Sequence, residues 1–187
     1  MQSLWEIEAP ILLWIQENLR IGPLNPFIIA LTSIANGGIF WILLTVVLLL
    51  FKKYRTCGIM CTASLIIDVI TVNALIKNIV ARVRPYDMIE NLTILIDRQP
   101  DTSFPSGHSS VSFAVAVVIF RNCDKKIGIP ALILAFMIAL SRLYVGVHYP
   151  TDVICGMIAG TLCALAGEYL VKKLYPVILN KLKNQAK

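Results

Sequence analysis

Long uncharged runs of apolar residues alternate with short polar segments along most of this chain. Such runs are typical of helices that lie in lipid, because a helix on the surface of a soluble protein needs one polar face. The pattern therefore predicts an all-α, integral membrane helical bundle of about five to six transmembrane helices, in which residues 1–187 form a single domain. The five clearest spans are expected at 39–51, 57–80, 107–120, 127–144 and 152–171.

Residues 3–19 depart from this pattern because apolar side chains there are interleaved with three glutamates. That mixture is too charged to cross a bilayer and predicts an interfacial amphipathic helix, and it lacks the plain apolar core of a cleavable signal. Pro23 and Pro26 then interrupt the chain before an Asn-Gly-Gly turn. We therefore expect 1–36 to be an interfacial N-terminal segment. Part of it would extend the first span, which is short for a hydrocarbon core of ~30 Å.

The overall composition agrees with a membrane location. Hydrophobic residues make up 57% of the chain and charged residues 15%, with a mean hydropathy of +0.75, whereas a soluble domain is about one quarter charged. The net charge of +6 does not indicate nucleic-acid binding, because no basic groove with interleaved aromatic residues occurs. The five cysteines include no C-x-x-C pair. They therefore predict small buried side chains rather than a zinc site or a secreted disulfide framework.

The charges that flank the predicted spans are divided unequally between the two ends of the bundle. One end receives six basic and eight acidic residues, and the other receives eleven basic residues with few acidic neighbours. Cytoplasmic loops of membrane proteins are enriched in Lys and Arg, so the second end is predicted to be cytoplasmic. The candidate catalytic residues then lie on the extracytoplasmic face. The cytoplasmic group comprises Lys52, Lys53, Arg55, Arg121, Lys125, Lys126, Lys172, Lys173, Lys181, Lys183 and Lys187.

The first candidate motif closes the second predicted span and consists of Lys77 and Arg84-Pro85. A separation of seven residues is two helical turns, so both cations are expected on one helix face, where they would bind an anion. Pro85 is expected to end the helix. The alternative is that Lys77 and Arg84 merely anchor the helix end by snorkelling, although anchoring cations favour the cytoplasmic side.

The second motif, Pro105-Ser106-Gly107-His108, opens the third predicted span. A helix N-terminus presents unpaired N–H groups and a partial positive charge, which suit a phosphate group. Gly107 would permit close approach of a ligand to the backbone, and Ser106 would cap the helix or donate a hydrogen bond. His108 is one of only two histidines in the chain and could exchange protons near neutral pH. A plain helix start with an incidental histidine is the alternative.

The third motif joins the fourth and fifth spans and contains Ser141-Arg142, His148 and Asp152. Arg142 offers a planar guanidinium that suits phosphate oxygens. Asp152 could hold one imidazole nitrogen of His148 and thereby present the other as a nucleophile or base. Asp152 would equally suit a helix start, and a buried Arg142–Asp152 ion pair is a further structural alternative.

Two charged residues near these motifs have less defined roles. Arg82 faces away from Lys77 by helical spacing and is a candidate contact for a lipid headgroup. Asp68 is an intramembrane carboxylate nine residues before Lys77. Because that spacing is half a turn out of phase, we expect Asp68 to form a hydrogen bond to a neighbouring span rather than to contact phosphate.

In this order, Lys-x6-Arg-Pro, Pro-Ser-Gly-His and Ser-Arg-x5-His-x3-Asp resemble the three signature motifs of the type 2 phosphatidic acid phosphatase superfamily. The motifs extend over 77–152 with no signature position missing. The resemblance implies a phosphatase without metal or other cofactor. In such an enzyme His148 attacks phosphorus to form a phosphohistidine, Asp152 orients it, and His108 protonates the leaving oxygen and later activates water. The phosphoryl oxygens would be bound by Lys77, Arg84, Ser106, Gly107 and Arg142.

A membrane location predicts that the substrate is a lipid whose phosphate lies at headgroup depth within the bilayer. Chain size, short loops and the N-terminal segment are similar to bacterial undecaprenyl-diphosphate phosphatases. That similarity implies a plasma-membrane enzyme that converts undecaprenyl diphosphate to undecaprenyl phosphate. Phosphatidylglycerophosphate or phosphatidate is the alternative substrate. A small transporter of phosphate or another anion would also use basic residues at span ends, but it would not require His108, His148 and Asp152. The oligomeric state is not predicted by these features.

Overall fold

The computed structural model describes residues 4–185, with side chains over 4–174, and every regular element in this range is a helix. The prediction of an all-α protein is confirmed. Of the predicted cytoplasmic lysines, Lys187 lies outside the described residues, as do the side chains of Lys181 and Lys183. The helices are α1 (Leu4–Asn18), α2 (Asn25–Ile34), α3 (Ile39–Leu50), α4 (Arg55–Asp68), α5 (Lys77–Val80), α6 (Pro85–Met88), α7 (Gly107–Asn122), α8 (Lys125–Tyr144) and α9 (Pro150–Gln185), with short 3₁₀ turns at Gly22–Leu24 and Asn36–Gly38.

Three helical segments in the described part of the chain are long and apolar enough to cross a membrane: Arg55–Met88, Lys125–Tyr144 and Pro150–Leu174. A fourth crossing is available if Gly22–Ile34 and Asn36–Leu50, which meet at a bend of 46°, act as one broken span. Large apolar side chains project from the outer surfaces of these helices, as lipid-facing surfaces require; Ile158, for example, is 55% exposed. The chain is an integral membrane protein.

Helix α7 lies at the centre of the bundle and packs against α4, α8 and α9. Glycines of α9 allow the close approach. A Cβ at Gly160 would lie 2.1 Å from the backbone oxygen of Ser110 on α7, and one at Gly167 would lie 2.3 Å from Ser64 Oγ on α4. Small residues of this kind let helix backbones approach each other within membranes. The packing holds the N-terminus of α7 beside the N-terminus of α9.

The chain between Lys77 and Arg84 does not follow the predicted single helix. Helix α4 continues through a π-helical segment, Val69–Ile76, into the short α5, and Ala81 then adopts a left-handed conformation with φ 46°. Residue 84 is extended. The prediction that Lys77 and Arg84 share one helix face is therefore wrong. The helix ends at Val80, less than one turn beyond Lys77, so Arg84 is not part of it.

Helix α1 is amphipathic, but with its apolar side turned outward. Ile7, Ile11 and Trp14 are exposed, whereas Glu8 and Leu12 are buried against the rest of the protein. An apolar outer face suits contact with lipid, so the polar residue Glu8 must find its partners within the protein.

Candidate active site

A cavity of about 360 Å³ opens between the π-helical segment that leads into Lys77, the N-terminus of α7 and the α8–α9 connection. The structure brings residues from all three sequence motifs to its wall. Asp101, from the loop before α7, lies there too, so three cations and one carboxylate face the same space. A surplus of positive charge in a partly enclosed site favours an anionic ligand. The motif residues at the wall are Lys77, Arg84, Gly107, His108, Arg142 and His148.

Lys77 and Arg84 reach the cavity from different local structures and are joined there by Asp101. Lys77 Nζ donates to Asp101 Oδ2 and, at 3.3 Å, to the carbonyl of Thr102. Arg84 Nη2 donates to Asp101 Oδ1 at 2.5 Å, and Arg84 Nε donates to the Asp101 carbonyl at 2.8 Å. Burial alone would raise the pKa of Asp101, but the hydrogen bonds and positive charges of Lys77 and Arg84 outweigh it and lower that pKa to about 2.

Arg142 is fully buried, and only one of its guanidinium nitrogens forms a hydrogen bond to a described residue. Its Nη1 donates to Thr32 Oγ1 at 2.6 Å, while Nε and Nη2 form no hydrogen bond within the described part of the protein. The Arg142–Asp152 ion pair considered as an alternative is absent, because Asp152 is paired with Arg82 instead. Buried polar N–H groups without partners are costly, so the free edge of this guanidinium is suited to an anion in the cavity.

His148 sits in the short connection between α8 and α9, where Gly146 turns the chain with φ 81°. Arg84 Nη1 lies 3.4 Å from His148 Nε2. Because a guanidinium can only donate, Nε2 is the acceptor, and its lone pair faces the cavity side of the ring. Burial lowers the pKa of His148 to about 4; the nearby Asp152 carboxylate opposes this shift, and the charges of Arg142 and Arg84 reinforce it. The imidazole is therefore neutral near pH 7.

Asp152 is completely buried behind His148 in the first turn of α9. Its Oδ2 lies 3.5 Å from His148 Nδ1, slightly beyond hydrogen-bonding distance, and accepts hydrogen bonds from Ser103 Oγ at 2.5 Å and the Tyr149 N–H at 2.9 Å. Its Oδ1 accepts from Arg82 Nη1 at 2.7 Å. The carboxylate is thus fixed in position to receive a proton-bearing Nδ1 from His148.

The second motif forms the N-terminus of α7. Ser106 is the N-cap residue, and its Oγ accepts from the Ser109 N–H at 3.4 Å, so Ser106 is occupied in capping and is buried. A Cβ at Gly107 would lie 3.1 Å from Asn73 Oδ1, so a side chain there would require the Asn73 side chain to shift. His108 Nε2 lies 3.0 Å from Asn36 Oδ1 in the turn before α3. The structure therefore presents the helix terminus and His108 to the cavity, and places Ser106 behind them.

The two residues without a defined motif role have specific partners. Asp68 Oδ2 accepts a hydrogen bond from Ser110 Oγ on α7 at 3.3 Å, the kind of contact to a neighbouring helix that its position predicts. Arg82 does not reach towards headgroups but turns inward to Asp152 and Glu8. Glu8, Ser103 and Asp101 belong to no recognised motif, and only their positions in the folded chain associate them with the site.

A cation-lined cavity with two imidazoles, set in an all-helical membrane bundle, is suited to binding an anionic group such as a phosphate at a membrane. The chain belongs to the PAP2 superfamily, whose family model matches residues 55–176. It is 34% identical over 143 residues to the undecaprenyl-diphosphatase of Sulfolobus acidocaldarius, covering 76% of this chain and 68% of that protein. It is 33% identical over 124 residues to undecaprenyl-diphosphatase BcrC of Bacillus subtilis, covering 60% of this chain and 63% of BcrC.

The fold also has a solved counterpart. The transmembrane PAP2-type phosphatidylglycerolphosphate phosphatase of Bacillus subtilis superposes with a TM-score of 0.72, at 24% identity, over 95% of this chain and 89% of that structure. At that identity the similarity concerns the fold alone. Membership in the PAP2 superfamily confirms the resemblance that the three motifs indicate, and it favours a hydrolase over an anion transporter.

Proposed function

We propose that this phosphatase removes the terminal phosphate from a membrane lipid through a phosphohistidine, without a metal ion, with undecaprenyl diphosphate as the leading candidate substrate. The observation that carries the proposal is the unpaired, buried edge of Arg142 in the same cavity as the Nε2 lone pair of His148. A nucleophile next to unused phosphate-binding N–H groups is what phosphoryl transfer requires. The two relatives named undecaprenyl-diphosphatase support this choice of lipid.

In the first step the phosphoryl group would lie against Lys77, Arg84, Arg142 and the N-terminus of α7. His148 Nε2 attacks phosphorus and forms a P–N bond while the P–O bond to the lipid breaks. His108 donates a proton to the departing oxygen. The positive charges stabilise the negative charge that spreads over the equatorial oxygens in the transition state.

In the second step a water molecule attacks the phosphohistidine. His108, now unprotonated, accepts a proton from this water, the P–N bond breaks, and inorganic phosphate leaves with His148 restored. Asp152 stabilises the positive charge that His148 carries while phosphorylated at Nε2 and protonated at Nδ1. His108 thus acts as an acid in the first step and as a base in the second.

The placement of the cavity supports a lipid substrate at the extracytoplasmic face of a plasma membrane. A bundle of five spans requires that the shorter α7 and the bent pair Gly22–Ile34 and Asn36–Leu50 each cross once, besides the three long apolar segments. The cavity lies at the end of the bundle opposite Lys53 and Lys125, which belong to the predicted cytoplasmic group. The exposed apolar face of α1 would rest in the interface at the level of the headgroups. Phosphatidylglycerophosphate or phosphatidate would present a similar phosphate at this depth.

The proposal is tested with purified protein in detergent containing EDTA. We expect release of inorganic phosphate from undecaprenyl diphosphate at a higher kcat/KM than from phosphatidylglycerophosphate or phosphatidate, and inhibition by vanadate. H148A should abolish turnover of every substrate. H108A is the matched variant: it should lose lipid turnover but keep slow cleavage of p-nitrophenyl phosphate, whose leaving group needs no proton.

A labelled intermediate separates this mechanism from direct attack by water. After an alkaline quench, which preserves phosphoramidate bonds, the H108A variant should retain radioactive phosphate from labelled p-nitrophenyl phosphate, because its first step needs no proton and its second step lacks the base. H148A should retain none. Full activity in H148A or strict dependence on a divalent metal would overturn the proposed mechanism. Preference for phosphatidylglycerophosphate would overturn only the choice of lipid.

A further inference from the structure

Glu8 on α1 is a buried carboxylate in a helix whose other side faces outward with apolar side chains. Its Oε1 accepts hydrogen bonds from the backbone N–H and the Oγ1 of Thr151, at 2.7 and 2.8 Å. Its Oε2 accepts from Arg82 Nη2 at 2.5 Å. Glu8 is thereby attached to the first turn of α9, one residue from Asp152.

Arg82 connects Glu8 to Asp152 with the two ends of one guanidinium group. Nη2 binds Glu8, and Nη1 donates to Asp152 Oδ1 at 2.7 Å and to Thr151 Oγ1 at 2.8 Å. The guanidinium carbon lies 3.8 Å from the centre of the Tyr149 ring, which covers one face of the group. A planar fork with fixed N–H directions can hold two carboxylates at once, which an ammonium group does less well.

We infer that Glu8 and Arg82 are positioning residues for the proposed nucleophile, acting on His148 through Asp152. Arg82 holds the Asp152 carboxylate in place, and Glu8 offsets the positive charge of Arg82 so that Asp152 keeps its negative charge available to His148. The three groups together carry one net negative charge beside the imidazole. The inference rests on the proposed phosphohistidine mechanism and adds α1 to the catalytic apparatus.

A purely structural ion pair would not explain this arrangement. Two carboxylates sharing one guanidinium cost more desolvation than a single buried pair, and a buried pair is itself weak support for stability. Replacing the charge of Glu8 by a neutral group should therefore alter His148 more than it alters folding. The sign follows from electrostatics, since loss of a negative charge disfavours protonation of a nearby imidazole.

The charged groups that face His148 from the packed elements are few. Asp152 approaches from α9, Arg84 from the segment before α6, Arg142 from α8, and His108 from α7. None of these residues is itself replaced in a Glu8 or Arg82 variant. A change in the titration of His148 therefore reports the Glu8–Arg82–Asp152 network.

The test uses the full-length protein in detergent and compares E8Q, R82Q and E8D with E17Q. Glu17 is exposed on the same helix, so E17Q is matched in charge and element. Because the chain has only two histidines, histidine-selective isotope labelling yields two imidazole signals, assigned with H108N. We expect the pKa of His148 to fall by about 0.5–1 unit in E8Q and to rise by a similar amount in R82Q. E8D and E17Q should leave it unchanged.

Activity is the second measurement. E8Q and R82Q should lower kcat by about 10- to 100-fold with little change in KM, because the nucleophile is misplaced while the phosphate-binding cations remain. The acidic limb of the kcat/KM profile should shift in opposite directions in the two variants. If E8Q does not fold, E8D and R82Q still test the inference. E8D must leave the pKa of His148 unchanged, and R82Q must raise it.

Unchanged His148 titration in R82Q, or shifts of the same sign in E8Q and R82Q, would overturn the inference. A wild-type protein that releases no phosphate, or an active H148A, would instead overturn the proposed function. Wild-type activity that requires His148, with E8Q behaving as E17Q, would leave the proposed function standing and remove only the role of Glu8.

Discussion

Asp101 engages two of the three cavity cations before any substrate binds. The substrate phosphoryl group needs the same N–H groups of Lys77 and Arg84, so the carboxylate competes with it. We predict that D101N lowers the vanadate concentration needed for half-maximal inhibition by about three- to tenfold, because a hydrogen-bonded competitor with a negative charge is removed. D97N, in the same loop and exposed, is the control. Weaker vanadate inhibition in D101N would mean that Asp101 instead holds the cations in place.

The same carboxylate contributes a pH-dependent stability. The pKa of Asp101 in the folded protein is about 2, below the ordinary value of 3.8. Its ion pairs therefore stabilise the fold above pH 3.8, and this contribution is lost as the pH falls towards 2. The thermal midpoint of the wild type should fall more steeply over that interval than the midpoint of D101N. Parallel curves for the two proteins would contradict the assignment.

Five side chains of the cavity could be predicted from the sequence, whereas the role of Arg82 could not. Lys77, Arg84, His108, Arg142 and His148 could be selected from their types and spacing, and all line one cavity. Arg82 could not be interpreted in this way, because its partner Glu8 lies 74 residues earlier in the chain. Local periodicity carries no information about contacts at such separations.

Among the helices, the contact of α9 with α7 is the closest and has no room for added volume. A Cβ at Gly160 would overlap the Ser110 carbonyl, whereas a Cβ at Gly22 would meet nothing within 4 Å. We predict that G160A lowers the free energy of unfolding in detergent by about 1–3 kcal/mol, because the helices must separate, and that G22A has little effect. Thermal unfolding followed by circular dichroism measures both. Equal midpoints would show that α9 tolerates a shift at this point.

The predicted helices agree with the observed ones wherever a run was long and uniform. The run at 127–144, for example, corresponds to α8. Agreement fails at the end of α4, where a π-helical segment and the left-handed Ala81 replace a regular helix. Ala81 is a residue that favours helix, so its conformation is set by the contacts of the segment that follows rather than by intrinsic preference.

For the molecule as a whole, the orientation of the bundle in the membrane decides which leaflet's lipid phosphates reach the cavity. We predict that a cysteine at position 97, introduced as D97C into a cysteine-free variant, reacts with a membrane-impermeant maleimide in right-side-out vesicles. K126C should react only in inside-out vesicles, because the positive-inside rule assigns that end to the cytoplasm. Both positions are exposed. The reverse labelling pattern would place the cavity on the cytoplasmic face.

The apolar runs, the excess of basic residues at one end and the three motifs were sufficient to predict an all-α membrane phosphatase. These features are local, since they depend on residue type and on spacings within one helix or one connection. The folded chain alone decided that Asp101 occupies the cavity cations, that Arg142 keeps a free edge, and that Glu8 reaches Asp152 through Arg82. Such contacts arise from the packing of distant helices, and the energies that select them depend on burial and partner geometry, which no local pattern encodes.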